Sequence, residues 1–300
     1  MQGTTQTRPD SRIVRVGDEL SGSDNLEFSF SEQLRASFEP ALGAIWLRWN
    51  PKPRPSFNLA LLAALNEYCQ FVQGTGGTIE HEGQPCPVRS SVLASDVPGI
   101  FNLGGDLDLF TNLIEDRDRA GLVQYGMACV EVVYRNYTCY DLPLTTVSLV
   151  QGECLGGGFE AALSSQVVIA EHSARFGFPE IMFNLFPGMG AVSFVLRRTN
   201  EKVARELTES ATVYSAEEML KRGIIDMVVE DGEGPSAVRE YLRKKEPTMR
   251  TLFRMRTRVK KLNREELDEI VEMWVDAALR LNPRNLRLMG HLVARQGKLA

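Results

Sequence analysis

The chain has 300 residues, enough for one large domain or two ordinary ones, and its hydrophobic fraction of 43% suits a globular protein with a substantial core. The net charge of −5 argues against nucleic acid as the main partner, and no apolar run approaches the roughly 20 residues that span a bilayer. Residues 1–11 are polar and lack the apolar stretch of a signal peptide, which predicts a disordered tail and a cytoplasmic location.

Strand signals open the chain. The segment 12–49 contains RIVRV, LEFSF and AIWLRWN, separated by Gly, Ser, Asp and Pro. Apolar residues at helical spacing predict a helix over 59–73, and a Gly- and Pro-bearing loop follows over 74–87. The segment SSVLAS, at 90–95, is predicted to be a short buried strand.

Strands and helices then alternate along the middle of the chain. Helices are predicted over 104–116 and 119–139, and the strand LTTVSLVQG leads into the helix GGGFEAALSS. The strands VVIA, ARFGF and IIDMVV, the helix GMGAVSFVLRR and a capping box that begins at Ser215 complete this part.

The last part of the chain has only helical patterns, over 235–296. The order of elements predicts an α/β core over 12–230 and a helical C-terminal region over 231–300. The five cysteines are scattered without CxxC spacing and the three histidines are isolated, so neither a disulfide framework nor a metal site is predicted.

Three glycines separate a strand from a helix in VQGECLGGGFEAAL, residues 150–163. Glycine leaves backbone N–H groups open to a ligand, and a helix N-terminus adds partial positive charge, which suits an oxyanion or a phosphate. A purely structural role, in a tight and closely packed turn, explains the same glycines without a ligand. Gly156, Gly158 and Ala161 also match the dinucleotide-binding fingerprint, with Glu171 as the candidate ribose ligand, so an NAD-binding protein is an alternative.

Two further segments carry candidate groups. FNLGGDL, residues 101–107, places a glycine pair between a strand and a helix, with Asp106 as a candidate N-cap. In ARFGFPEIMFNLFPGMGA, residues 174–191, Glu180 lies among apolar residues, where a carboxyl group has the raised pKa that a catalytic acid needs. Taken singly, helix capping and a solvent-facing glutamate are simpler explanations.

Together the three segments resemble the enoyl-CoA hydratase/isomerase, or crotonase, superfamily. Its pattern runs roughly F-x-x-G-x-D, then G-x-x-x-G-G-G-x-E, then F-x-x-P-E with P-G-x-G after it; the chain has FNLGGD, GECLGGGFE, FGFPE and PGMG in that order. The resemblance implies an α/β crotonase-like fold, a spiral of ββα units. It also implies a homo-oligomer, a trimer or a dimer of trimers, in which the C-terminal helices pack at subunit interfaces and cover the acyl pocket.

Carried over residue by residue, the resemblance implies that Glu160 and Glu180 form an acid/base pair. It implies that the N–H groups of Gly105 and Gly157, to within one residue, form the oxyanion hole. No cofactor is expected, because the sequence has no metal-ligand cluster and no redox motif beyond the weak dinucleotide fingerprint. The further candidates for contact with the substrate are Gly104, Leu155, Gly156, Trp274 and Leu292.

Within the superfamily, FNLGGDL, LVQGxxLGGGFEAALS and LFPGMGAxSF resemble the diffusible signal factor synthases. Those enzymes dehydrate 3-hydroxyacyl-acyl carrier protein to a cis-2-enoyl thioester and hydrolyse it to the free acid. Gly105 in place of the usual Ala, and Asn184 in place of the usual Gly, support this subgroup, which also implies a sensor-kinase receiver domain as a regulatory partner. The alternatives are an ordinary enoyl-CoA hydratase or isomerase of fatty acid metabolism and a non-catalytic interaction protein on the same fold.

Overall fold

The computed structural model of the protein describes residues 25–296. The strands are β1 (Leu26–Ser31), β2 (Leu34–Glu39), β3 (Ala44–Trp49), β4 (Thr78–His81), β5 (Gln84–Pro87), β6 (Ser90–Ser95), β7 (Ile100–Asn102), β8 (Thr145–Val150), β9 (Glu153–Leu155), β10 (Val167–Glu171), β11 (Arg175–Gly177), β12 (Tyr214–Ser215) and β13 (Met227–Val229). The helices are α1 (Leu59–Gly74), α2 (Leu107–Glu115), α3 (Arg119–Tyr137), α4 (Gly157–Leu163), α5 (Ala191–Arg198), α6 (Glu201–Glu209), α7 (Ala216–Lys221), α8 (Gly234–Lys244), α9 (Glu246–Val259), α10 (Arg264–Ala278) and α11 (Pro283–Gln296). Two short 3₁₀ helices are Cys139–Asp141 and Glu180–Phe183.

Two sheets form the body. The larger sheet has the strand order β1-β2-β3-β6-β8-β10-β13, antiparallel from β1 to β3 and parallel from β3 onwards. The smaller sheet has the order β12-β11-β9-β7, and its strands β7, β9 and β11 are parallel. Strands β8 and β10 of the larger sheet are buried at every residue because both of their faces are covered.

The two sheets are linked by a repeating unit. In each of the pairs β6–β7, β8–β9 and β10–β11, the first strand enters the larger sheet and the second enters the smaller one. Helical segments follow each pair: α2 and α3, then α4, then the 3₁₀ helix Glu180–Phe183 and α5. This is the predicted spiral of ββα units, and the α/β crotonase-like fold is confirmed.

Up to residue 296, where the described part of the chain ends, only helices follow β13, as the sequence predicts. Helix α10 packs on α3, α11 packs on α2 and on the 3₁₀ helix Glu180–Phe183, and α8 and α9 pack on the larger sheet. Side chains of α10 and α11 join the same hydrophobic core as the body, so these two helices are part of the body rather than standing apart from it. Whether it also forms a subunit interface stays a prediction, as do the domain boundaries.

Several local predictions need correction. The segment 74–87, expected to be a loop, forms the hairpin β4–β5; its turn residues Glu82 and Gly83 have φ of 51° and 75°, as a tight two-residue hairpin turn requires. Strands β2, β7, β9 and β12 and helix α6 were not predicted. The strand RIVRV and the tail over 1–11 lie outside the described residues.

Candidate active site

The site is built where three parallel strands of the smaller sheet end. Strand β7 leads into the turn 103–106, β9 into the glycines that open α4, and β11 into Pro179 and Glu180. Carboxyl ends of parallel strands meet at one edge of a sheet, so the three motifs, which lie up to 80 residues apart in the chain, converge there.

A cavity of about 530 Å³ opens at this edge. Glu160 and Glu180 both line it. Of the other predicted residues, those that line it are Gly105, Leu155, Gly156, Gly157, Trp274 and Leu292. Gly104 lies behind this surface, and a Cβ atom there would stand 3.0 Å from the Gly157 nitrogen, so its contact with substrate stays a prediction.

Glu160, in the first turn of α4, is almost completely buried, with 1% exposure. Its Oε1 accepts hydrogen bonds from the backbone N–H groups of Met189, at 2.8 Å, and Ala191, at 2.9 Å. The PGMG turn that precedes α5 therefore fixes the position of this carboxylate. Burial raises the pKa of Glu160 to about 7, because removal from water disfavours the charged form more than the N–H groups of Ala191, Met189 and Gly190 favour it.

Glu180 begins the 3₁₀ helix that follows Pro179 and is half-buried, as its apolar sequence neighbours predict. Its Oε2 is buried and has no hydrogen-bond partner among the residues that the structure describes. Burial, and then the negative charge of Glu160, raise the pKa of Glu180 to about 8. A buried polar atom without a partner is costly, so this oxygen is available to a substrate or a water molecule.

The glycine turn 103–106 leaves one N–H group for a ligand. Leu103 N–H donates to Pro55 O at 2.8 Å, Gly104 N–H to Asn102 Oδ1 at 2.8 Å, and Asp106 N–H to Tyr125 Oη at 3.2 Å. No hydrogen bond from the Gly105 N–H to a protein acceptor is formed within residues 25–296. Gly105 lines the cavity, so of the two glycines it is the one whose donor fits an oxyanion.

The second glycine turn gives a similar result. Gly156 N–H donates to Gly177 O at 2.9 Å, whereas Gly157 begins α4, where N–H groups have no partner within the helix. Gly156 has φ of 52°, and a Cβ atom on it would lie 2.7 Å from Glu180 Oε1. A side chain at this position would therefore both strain the backbone and collide with the second carboxylate.

One wall of the cavity is apolar and was largely missed from the sequence. Phe110 packs edge-on against Trp274, with 5.0 Å between ring centroids, and against Tyr125, at 4.8 Å. Val271 and Leu292 add to this wall. Phe110 and Tyr125 lie on α2 and α3, and their helical spacing is that of ordinary core residues, so only the polar hydroxyl of Tyr125 among apolar neighbours could have signalled a role.

The residues of the dinucleotide fingerprint are used differently. Glu171, the candidate ribose ligand, is already hydrogen-bonded within the protein. Its Oε1 accepts from Gln151 Nε2 at 2.7 Å and from Gly234 N–H at 3.1 Å. Gly158 permits close packing, because a Cβ atom there would lie 2.2 Å from Asn102 O. Within residues 25–296, no group of three His, Cys, Asp or Glu side chains is placed to hold a metal ion. No helix in the same part of the chain is long and apolar enough to cross a membrane.

Comparison with known structures shows the same fold. Human mitochondrial delta3-delta2-enoyl-CoA isomerase superimposes with a TM-score of 0.71 at 18% sequence identity, over 89% of this chain and 99% of that one. Enoyl-CoA hydratase from Bacillus halodurans gives a TM-score of 0.68 at 19% identity, over 83% of this chain and 96% of that one.

Curated sequences and a family model give the closer chemical comparison. Human mitochondrial methylglutaconyl-CoA hydratase is 31% identical over 156 residues, 52% of this chain and 44% of that protein. Mevalonyl-coenzyme A hydratase of Beauveria bassiana is 37% identical over 97 residues, 32% of this chain and 34% of that protein. The matches thus span less than half the length of these relatives. The family model for enoyl-CoA hydratase/isomerase matches residues 80–273, and the chain belongs to that family.

Proposed function

We propose that the protein is a hydratase that adds water reversibly across the 2,3 double bond of an enoyl thioester, or dehydrates the 3-hydroxyacyl thioester in the reverse direction. The observation that carries this proposal is the pair of glutamates at one cavity, both with raised pKa: Glu160 to about 7 and Glu180 to about 8. Hydration of a double bond needs a proton donor and a proton acceptor together, which such a pair supplies near neutral pH.

In the proposed mechanism, the thioester carbonyl oxygen accepts hydrogen bonds from the N–H groups of Gly105 and Gly157. In the dehydration direction, one ionised glutamate takes the proton from Cα, and negative charge builds up on the carbonyl oxygen, where the two donors stabilise it. The other glutamate, protonated, gives its proton to the departing 3-hydroxyl group, which leaves as water. Loss of one such donor typically costs on the order of 3 kcal/mol in the transition state.

The two glutamates act as a pair. Glu160 raises the pKa of Glu180 through its negative charge, so the first proton to leave makes the second harder to remove. The singly protonated pair is therefore the dominant active form over a window near pH 7–8. In hydration the roles reverse: one carboxylate removes a proton from the attacking water, and the other carboxyl protonates Cα.

The apolar wall of the cavity supports a substrate whose acyl group has an apolar tail. Phe110, Trp274 and Val271 would surround that tail, and the charged residues that line the cavity are Glu153, Glu160, Arg175 and Glu180. Arg175 is exposed and donates to three backbone carbonyl groups, at 3.0 to 3.4 Å. A CoA thioester is the first candidate for the carrier, since both curated relatives are named for CoA substrates.

A second candidate function is the combined dehydratase and thioesterase of the signal factor synthases, acting on an acyl carrier protein thioester. It is favoured by the runs LVQGxxLGGGFEAALS and LFPGMGAxSF, which resemble that subgroup. The same two donors would stabilise the tetrahedral oxyanion of hydrolysis, and a glutamate would activate the water. A receiver-domain partner and a trimeric assembly belong to this wider proposal.

The test is a product analysis with purified protein. We expect conversion of a 2-enoyl-CoA to its 3-hydroxyacyl-CoA, which is monitored through the loss of absorbance of the conjugated thioester. The rate of this conversion should fall by about 10²–10⁴-fold in Glu160→Gln and in Glu180→Gln. A parallel incubation with 3-hydroxyacyl-acyl carrier protein, analysed by mass spectrometry, separates the candidates, because only the second yields free unsaturated acid. Absence of water addition or removal with both carriers would reject the proposal.

A further inference from the structure

Tyr125 makes two hydrogen bonds that the chemistry described above does not use. It lies on α3, is 3% exposed, and lines the cavity beside Gly105. Its hydroxyl donates to Phe57 O at 2.5 Å and accepts from Asp106 N–H at 3.2 Å. One hydroxyl group thus joins two backbone segments that are distant in sequence.

Those two segments form the wall that carries the Gly105 donor. Phe57 N–H donates to Gly104 O at 2.8 Å, and Phe57 and Gly105 form a parallel β-bridge. Residue 105 is therefore extended, and successive N–H groups of an extended chain point to opposite sides. When Asp106 N–H points towards Tyr125, Gly105 N–H points away from it.

We infer that Tyr125 is a positioning residue, which holds the Gly105 N–H in the direction of the thioester oxygen. This inference deepens the proposed function and rests on it. Glycine has wide conformational freedom, so a donor on Gly105 needs an external constraint. Donors stabilise developing charge best when they are already fixed before the reaction begins.

Tyr125 is unsuited to an acid/base role of its own. Its proton is already given to Phe57 O, and burial raises the pKa of the phenol well above its usual value. The hydroxyl stays neutral, donating to one backbone group and accepting from another. The ring is held in place by Phe110, at 4.8 Å between centroids and edge-on.

The test compares Tyr125→Phe with Tyr68→Phe. Tyr68 is also buried, and Tyr68→Phe likewise removes a hydroxyl hydrogen bond, here to Ser91 Oγ at 2.7 Å. Tyr68 lies on α1 and does not line the cavity, so this variant is the matched control. Two quantities are measured for each variant: kcat and KM with an enoyl-CoA, and the infrared carbonyl stretch of bound hexanoyl-CoA carrying ¹³C at the thioester carbon. The saturated probe cannot be hydrated, so the carbonyl shift reports hydrogen bonding without requiring turnover.

For Tyr125→Phe we expect kcat to fall by about 10- to 100-fold, less than loss of a whole donor, with KM changed less than about threefold. The lowering of the carbonyl frequency on binding should shrink. For Tyr68→Phe we expect a similar loss of thermal stability, with kcat and the carbonyl shift of the wild type. A Tyr125→Phe protein that keeps the wild-type carbonyl shift would overturn the inference and leave Tyr125 with a structural role only.

Two further outcomes are informative. If the wild type shows the carbonyl shift but no hydration, the proposed function fails while the positioning role of Tyr125 can still be measured. If Tyr125→Phe does not fold, the substitute variant is Phe110→Leu, which keeps the Tyr125 hydroxyl but removes the ring that packs against the Tyr125 ring. The carbonyl shift must then shrink in Phe110→Leu as well. An unchanged shift in folded Phe110→Leu would then overturn the inference.

Discussion

Replacing Glu160 by Gln is expected to lower turnover by about 10²–10⁴-fold and, above pH 7, to make the protein more stable. The usual pKa of the carboxyl group is 4.5, and burial raises it to about 7 in the folded protein. Between these values the folded chain keeps a proton that the unfolded chain releases, so rising pH favours unfolding. The stabilising effect of this proton is fully present below pH 4.5 and is lost as the pH rises through 7.

The magnitude follows from the two pKa values. The pKa of Glu160 rises from 4.5 to about 7 on folding, and each pKa unit corresponds to roughly 1.4 kcal/mol. The free energy of unfolding of the wild type therefore falls by on the order of 3 kcal/mol as the pH rises, and Glu160→Gln avoids this fall. The amide oxygen of Gln can accept the same bonds from the Met189 and Ala191 N–H groups, so the turn should keep its shape.

The assay is urea unfolding of both proteins at pH 5 and pH 9. We expect the free energy of unfolding of wild type to fall relative to the variant by about 3 kcal/mol between these pH values. Glu246→Gln is the matched control: Glu246 is also buried, but it pairs with Arg250 at 2.6 Å, so its replacement should destabilise the protein by leaving that cation without its partner. Parallel curves for wild type and Glu160→Gln would refute the reasoning.

Three further predictions concern the same site. The kcat/KM profile should be bell-shaped with limbs near pH 7 and 8, and Glu180→Gln should remove one limb from any residual activity; an unchanged two-limbed curve at full rate would exclude Glu180. Gly157→Val should reduce turnover by about 10²–10³-fold, checked by single-turnover kinetics, since a side chain would enter the oxyanion hole. Gly105→Ala should lower activity because the added Cβ would lie 2.6 Å from the Phe110 ring. Adding Phe110→Leu to the same chain should partly restore the activity, and no recovery in steady-state assays would contradict the proposed clash between residues 105 and 110.

The sequence predicts where the glycine turns and the two carboxylates lie because its signals are local. Glycines directly after strands require close backbone approach, and the apolar neighbours of Glu180 indicate burial, so both turns and both carboxylates could be identified from short segments. The structure places Glu160 and Glu180 at one cavity, as the motifs imply. The ββα spiral is implied by the family resemblance that the same motifs carry.

The parts that the sequence does not predict depend on distant packing. Strands β7 and β9 are three residues each, too short for a pattern of period two, and they are defined by their neighbours in the smaller sheet. Phe110 and Tyr125 come from helices whose spacing indicates only a buried face. Their contact with Gly105 exists only after α2 and α3 pack against the turn.

The two departures from the common family pattern have structural explanations that do not involve the substrate. Asn184 has φ of 61°, and it ends the 3₁₀ helix that begins at Glu180; Asn tolerates this left-handed conformation better than most residues, so the chain follows the path that glycine would allow. Gly105 stands where a Cβ atom would meet the Phe110 ring. Since backbone shape and packing account for both residues, neither distinguishes a CoA hydratase from a signal factor synthase. The distinction depends instead on the product, because only the second candidate releases free unsaturated acid from a 3-hydroxyacyl-acyl carrier protein.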